Sequence, residues 1–124
     1  MAWRLARDPD VREIVSAPGN PGTAQVGRCA PVDLQSPADV LALAERERVD
    51  LTVVGPEAPL ERGVADVFRR AGRPIVGPSA RSAALECSKA FSKQFMERHA
   101  IPTARFVICD TPDEALAAVS GTRF

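Results

Sequence analysis

The chain has 124 residues, a formal net charge of zero and three cysteines. That length supports one domain-sized core rather than two, and a neutral chain lacks the basic footprint of a general nucleic-acid binder. Three widely spaced cysteines (Cys29, Cys87, Cys109) with one histidine (His99) exclude a disulfide framework and a Cys/His zinc site.

No apolar run approaches a membrane span, and the charged start, with Arg4, Arg7 and Asp8, has no signal-peptide core. These features predict a cytoplasmic protein with neither membrane nor nucleic acid as partner. Of 16 basic residues only Lys89 and Lys93 are lysine, so any chemistry that needs an ammonium has two candidates.

Residues 1–8 read as the tail of a helix without an N-cap. Residues 13–17 (E-I-V-S-A) predict a short strand, 18–23 (P-G-N-P-G-T) a loop, and 29–33 a weak strand. Ser36, Pro37 and Asp39 supply an N-cap, a proline at the first helical position and an acidic third residue, opening a helix to about Arg48. Residues 50–54 (D-L-T-V-V) form a continuous apolar run of the buried parallel type. A stiff loop, Gly55 to Leu60, precedes a helix from Glu61 to Ala71 that carries Val64, Val67, Phe68 and Ala71 on one stripe and ends at Gly72. A strand at 74–76 and a short helix at 80–85 follow. The spacing then predicts a helix from Ser88 to about His99 burying Phe91 and Phe95, a strand at 105–109, and a helix opened by Thr111, Pro112, Asp113 and Glu114.

Alternating strands and helices predict an α/β fold with a doubly wound, mostly parallel sheet. Ligands in such folds sit beyond the carboxyl ends of the strands. Two loops fall there. In Pro18 to Thr23, backbone N–H groups, the Asn20 amide and the Thr23 hydroxyl can hold phosphate or hydroxyl groups, or simply form a surface turn. In Gly55 to Leu60, Gly55 lets backbone approach a ligand closely, and Pro56 and Pro59 stiffen a frame for the Glu57 carboxylate, which suits a sugar hydroxyl or an amine. A rigid turn with a solvated Glu57 is the plainer alternative. Lys89 near a helix N-terminus makes an anion site, though a solvated lysine is commoner. Cys87 has no base beside it and reads as a small buried residue, and His99 as an aid to a helix C-terminus. The G-x-G-x-x-G dinucleotide signature is absent, which disfavours a Rossmann dehydrogenase.

Four segments in order, A-P-G-N-P-G-T-A (17–24), D-L-T-V-V-G-P-E-A-P-L (50–60), G-P-S (77–79) and L-E-C-S-K-A-F-S-K-Q-F-M-E-R-H-A-I-P-T-A (85–104), resemble the phosphoribosylamine–glycine ligases, also called glycinamide ribonucleotide synthetases. The opening M-A-W-R-L-A resembles the family's first helix, whereas Pro21 stands where that family's pattern has alanine. The resemblance implies an ATP-grasp ligase that activates glycine as an acyl phosphate, using ATP with magnesium or manganese, and joins it to phosphoribosylamine in purine synthesis. Residues 1–85 then correspond to the amino-terminal, phosphoribosylamine-side, Rossmann-like pre-ATP-grasp domain, and 86–124 to the truncated start of the ATP-grasp region. Carried over residue by residue, Asn20, Gly22, Thr23, Gly55, Pro56, Glu57 and Pro59 line the phosphoribosylamine pocket, and Lys89 reaches an ATP phosphate. The resemblance also implies that the family's first strand, its Gly-rich phosphate loop and its metal carboxylates lie outside this sequence. The chain alone is then expected to be inactive, to bind no cofactor and to be prone to aggregation through unpaired strand edges, with coding sequence for the strand and loop upstream of Met1. The alternative is a non-catalytic α/β module that binds a sugar phosphate or a partner.

Overall fold

The computed structural model describes residues 1–121. The chain forms two compact units, Met1–Cys87 and Ser88–Phe124.

The first unit alternates helix and strand: α1 (Ala2–Leu5), β1 (Val15–Ser16), a 3-10 turn (Thr23–Gln25), β2 (Arg28–Cys29), α2 (Pro37–Arg46), β3 (Thr52–Val53), α3 (Glu57–Glu61), α4 (Val64–Arg70), β4 (Ile75–Val76) and α5 (Ala80–Cys87). It is a mixed α/β unit with two short parallel pairs. β1 pairs with β2 in the register Val15 to Arg28 and Ser16 to Cys29. β3 pairs with β4 in the register Thr52 to Ile75 and Val53 to Val76.

Local chemistry sets the helix ends. Ser36 Oγ accepts the Asp39 N–H at 3.3 Å, and Pro37 occupies the first helical position, where its missing N–H has no intrahelical partner to lose. Gly72 leaves α4 with φ +67°. The expected stripe on α4 supplies the core: Val64, Ala65 and Phe68 are fully buried and pack with Ala44, Leu60 and Ala83. Polar ties fix what surrounds this core. The Arg73 guanidinium donates to the Val49 carbonyl at 2.7 Å, Arg69 donates to the Gly77 carbonyl at 2.6 Å, and Asp66 Oδ2 accepts the Ala80 N–H at 2.8 Å. Arg28 joins the other strand pair to α2, donating to Glu13 at 2.7 Å and Glu47 at 2.8 Å.

Several sequence expectations need correction. The segment from Gly55 to Leu60 is not a loop throughout: Pro56, at φ −79° and ψ 151°, is the N-cap of α3, and Pro59 lies in the first turn, where a proline costs no helical hydrogen bond. The helix expected over 61–71 is divided at Gly63, whose φ of +84° is left-handed, so α4 starts only at Val64. The strands expected at 13–17, 50–54 and 74–76 shorten to two residues each, and the one expected at 29–33 forms instead at 28–29, because only those positions find a ladder partner.

The second unit contains α6 (Lys89–Arg98) and α7 (Pro112–Ser120). Ser88 Oγ accepts the Phe91 N–H at 3.3 Å and Thr111 Oγ1 accepts the Glu114 N–H at 3.2 Å, both as their spacing predicts. The strand expected at 105–109 does not form: those residues are irregular, since no second strand in the unit pairs with them. Phe91 and Phe95 are not buried either. Phe91 is 40% exposed, and Phe95 stacks with the His99 ring at 4.4 Å between centroids. No described residue from 88 to 121 is buried, so the apolar stripe of α6 has no opposing layer within its unit.

Truncation of Phe68, the largest fully buried side chain, removes the centre of the first unit. Phe68→Ala is expected to cost about 3–5 kcal/mol, a large part of a typical total stability of about 5–15 kcal/mol, read as a lowered midpoint in urea. Hydrogen bonding from Arg28, working against burial, holds the Glu47 carboxyl below the ordinary carboxylate range. That contribution to stability is present above the unfolded carboxylate pKa and is lost as pH falls through the depressed value. Glu47→Gln is therefore expected to lower stability at neutral pH and to flatten the acid limb of the midpoint-versus-pH curve; an unchanged acid limb would show that the pair contributes nothing.

Candidate functional site

The loops after β1 and β3 meet in one cleft. A cavity of about 960 Å³ is lined from both strands and the segments flanking them, among them Glu13, Ala17, Pro18, Asn20, Thr23, Asp50 and Pro56. A smaller, largely apolar cavity of about 150 Å³ adjoins it, walled by α2 and α4 residues such as Val40, Leu43 and Val64. Val15, Val49, Leu51 and Val53 line both spaces.

The first loop is held by its own side chains. The Asn20 N–H donates to Thr23 Oγ1 at 2.8 Å, and the Thr23 N–H donates back to Asn20 Oδ1 at 3.0 Å. The Thr23 hydroxyl in turn donates to the Asn20 carbonyl at 3.0 Å. This reciprocal arrangement resembles a capping box. The side-chain oxygens expected to face a ligand are therefore spent on the loop, and the Asn20 Nδ2 group is the donor left over. Gly19 has φ +84°, and a Cβ there would collide with the Cys29 side chain, so this corner admits only glycine. Gly22 caps the 3-10 turn and lines neither cavity.

The second loop divides its roles. Gly55, Pro56 and Pro59 line the smaller cavity, and Pro56 also lines the cleft. A Cβ at Gly55 would meet only the Met1 methyl at 3.6 Å, so packing within the chain does not require glycine there. Pro59 is buried and acts as packing. Glu57 is the first residue of α3, exposed, with a carboxylate that makes no hydrogen bond among the described residues and lines neither cavity. Lys89 is the exposed first residue of α6, in the other unit. Lys93 is engaged within its own unit, donating to Thr103 Oγ1 at 2.6 Å and the Ala104 carbonyl at 3.3 Å. Burial, before the nearby carboxylates, pushes the Cys87 thiol up and keeps it protonated at neutral pH, so it is no nucleophile.

The structure thus brings Asn20, Thr23 and Pro56 together, places Gly55 and Pro59 beside them, and leaves Gly22, Glu57 and Lys89 outside the cavities. Sequence reasoning placed Pro18 and Gly19 in the candidate loop without a role of their own and missed Ala17 as a cleft wall. It also missed the cleft's long apolar flank, whose signal was available in the D-L-T-V-V run: Leu51 belongs to it and is 53% exposed. Among the described residues no group of three or more His, Cys, Asp or Glu is placed to hold a metal ion.

Asn20→Ala removes the acceptor for the Thr23 N–H and is expected to cost about 0.5–2 kcal/mol, the usual loss for a cap. Thermal unfolding checks the size, and faster amide exchange at Thr23 checks the cause; a stability equal to the parent would show the loop to be held by other means.

Comparison with known proteins identifies what these loops belong to. The family model for the phosphoribosylglycinamide synthetase N domain matches residues 1–86. The phosphoribosylamine–glycine ligase of Xylella fastidiosa (strain Temecula1) is 50% identical over 121 residues, covering 96% of this chain and 28% of the relative. The enzymes of the same name from Ralstonia nicotianae and Streptomyces coelicolor are each 50% identical, over 119 and 116 residues. The chain therefore spans 28% of the length of each of these relatives. On the family match, which covers more than half of its residues, the chain belongs to the phosphoribosylglycinamide synthetase N-domain family.

Proposed function

We propose that this chain is the amino-terminal part of a phosphoribosylamine–glycine ligase and that its cleft takes the phosphoribosylamine. The observation that carries this reading is that Pro18, Asn20 and Thr23 share one cleft with Pro56, beside Gly55 and Pro59 in the adjoining cavity, in a chain whose relatives bear that name. The reaction so implied joins glycine to phosphoribosylamine in purine synthesis: ATP phosphorylates the glycine carboxylate, and the amine nitrogen then attacks the activated carbon and expels phosphate. Residues 1–85 are the sugar-side domain and 86–124 the start of the ATP-grasp region, in a cytoplasmic enzyme acting on small molecules and on neither nucleic acid nor membrane.

Within that reading each residue has a physical task. Asn20 Nδ2 donates to ribose or phosphate oxygen, and the Gly22 and Thr23 backbone lies against the sugar phosphate. Gly55 and Pro56 form the wall that approaches the ribose, and Pro59 keeps that wall rigid. Glu57, fixed at the start of α3 but otherwise unpaired, accepts a hydrogen bond from a ribose hydroxyl or the amine. Lys89 serves an ATP phosphate in the longer enzyme. Magnesium, or manganese, would supply charge neutralisation during phosphoryl transfer from residues other than the described ones. The two strand pairs are the flanks of one doubly wound, Rossmann-like sheet of order 3-2-1-4-5 without its first strand, since pairs 2–3 and 4–5 of that order correspond to β1–β2 and β3–β4.

Two assays test this. The purified chain with ATP, magnesium, glycine and phosphoribosylamine is expected to yield no product; ATP-dependent glycinamide ribonucleotide above background would overturn the division of the activity. In an enzyme of the relatives' full length, Glu57→Ala is expected to lower kcat/KM for phosphoribosylamine about tenfold or more, because a hydrogen bond to a charged group is worth about 1.5–3 kcal/mol. The KM for ATP should stay unchanged; a selective rise in it would move Glu57 to the nucleotide side.

A further inference from the structure

Internal hydrogen bonds set the shape of the loop after β1, but they do not set where that shape sits on the sheet. The Asn20 carbonyl accepts from the Thr23 hydroxyl at 3.0 Å and from the Ala24 N–H at 2.9 Å. The Gln25 N–H donates to the Gly22 carbonyl at 3.4 Å and the Val26 N–H to the Thr23 carbonyl at 3.1 Å. Among the described residues, the polar contacts that reach residues 17–26 from another element both come from Cys29 on β2, the ladder partner of Ser16. The Cys29 thiol donates to the Asn20 carbonyl at 3.9 Å, and its sulfur lies 3.6 Å from Thr23 Oγ1. The Cys29 side chain also fills the space beside Gly19, where any Cβ would collide with it. Cys29 thus holds three consecutive parts of the loop, Gly19, Asn20 and Thr23. It is itself exposed and lines neither cavity.

We infer that Cys29 is a positioning residue for phosphoribosylamine: by holding Gly19, Asn20 and Thr23 it fixes the loop as a body on the sheet, and with it the place of the Asn20 Nδ2 donor in the cleft. This rests on the ligase reading of the cleft. The Thr23 N–H already fixes the Asn20 amide by its bond to Oδ1 at 3.0 Å. The freedom left to Nδ2 is therefore that of the whole loop, which the Cys29 contacts restrain. Without them the loop rocks on its two chain connections, and a ligand has to order it on binding, which lowers affinity. Cys29 touches no ligand space, so its loss acts on binding of the amine and leaves the rate of the bound complex alone. A general loss of stability has the opposite signature. It lowers the amount of folded enzyme, and so the apparent kcat, and leaves KM as it was. Glu57 is independent of this device, because α3 is anchored through Pro59 and Leu60.

Relaxation and kinetics test the two halves of this inference. In the 124-residue chain, backbone nitrogen relaxation of Cys29→Ala is expected to show Gly19 and Asn20 more mobile than in the parent. Ala30, whose N–H donates to the Ser16 carbonyl at 3.0 Å, should be unchanged and reports an intact β1–β2 ladder. In an enzyme of the relatives' full length, Cys29→Ala should raise KM for phosphoribosylamine about two- to fivefold, the lower part of what one net hydrogen bond is worth, because a thiol is a weak donor. Both kcat and the KM for ATP should stay at the parent values. Cys29→Ser keeps a donor and should lie nearer the parent than Cys29→Ala does. Cys29→Val keeps bulk without a donor and should match Cys29→Ala. Unchanged mobility, a fall in kcat alone, or a serine variant no better than the valine one would each overturn the inference. Greater mobility with an unchanged KM for phosphoribosylamine would overturn it as well; the Glu57→Ala kinetics, which do not depend on this loop, then decide whether the ligase reading falls with it.

Discussion

Two-residue parallel strands cannot hold themselves together, and the whole first unit depends on what holds them. Each pair contributes only a few ladder bonds, and a hydrogen bond adds about 0.5–1.5 kcal/mol net. The β3–β4 pair is carried by helix packing: α4 buries Phe68 and Val64 beneath it, and Arg73 and Arg69 reach back to the carbonyls of Val49 and Gly77 at its two ends. The β1–β2 pair has less. Arg28 bonds Glu13 within the pair and ties it to the end of α2 through Glu47, with the Arg28 and Glu13 side chains more than half exposed, so the pairing is weak. Rigidity thus declines from the helical core toward β1, and the cleft lies where it declines.

The two loops at the end of that cleft meet this constraint differently. The loop after β1 leaves the less supported pair, and it supplies its own rigidity through the reciprocal Asn20 and Thr23 bonds and the tight Gly19 corner against Cys29. The loop after β3 leaves the well supported pair. Pro59 and Leu60 anchor α3 in the core, and the Glu57 carboxylate makes no hydrogen bond among the described residues. A free carboxylate on an anchored helix suits recognition, since its position is fixed without its hydrogen-bonding capacity being used.

What the sequence made legible was local. The caps at Ser36, Ser88 and Thr111, the prolines after Ser36 and Thr111, the stripe through Val64 and Phe68, and the glycine exit at Gly72 each depend on residues within a few positions of one another, and each forms. The misreadings come from partners that are distant. The apolar run at 105–109 resembles a strand but has no second strand in its unit. Phe91 and Phe95 have helical spacing but no layer opposite. The proline-rich segment after Gly55 reads as a loop because its helix is stabilised by packing against α5, which residue type does not encode. At the candidate site, Asn20 and Thr23 were visible as polar groups on a loop. Their mutual bonding was not, because the same residue types serve a turn and a ligand equally well.

The same asymmetry bears on how the cleft relates to its loops. The D-L-T-V-V run leaves Leu51 half exposed beside these loops, where a fully buried leucine would contribute roughly 1.5–3 kcal/mol. Order along β1 and β3 governs the geometry of the segments that follow them, Asn20 and Thr23 after the weakly supported strand and Pro56 after the well supported one.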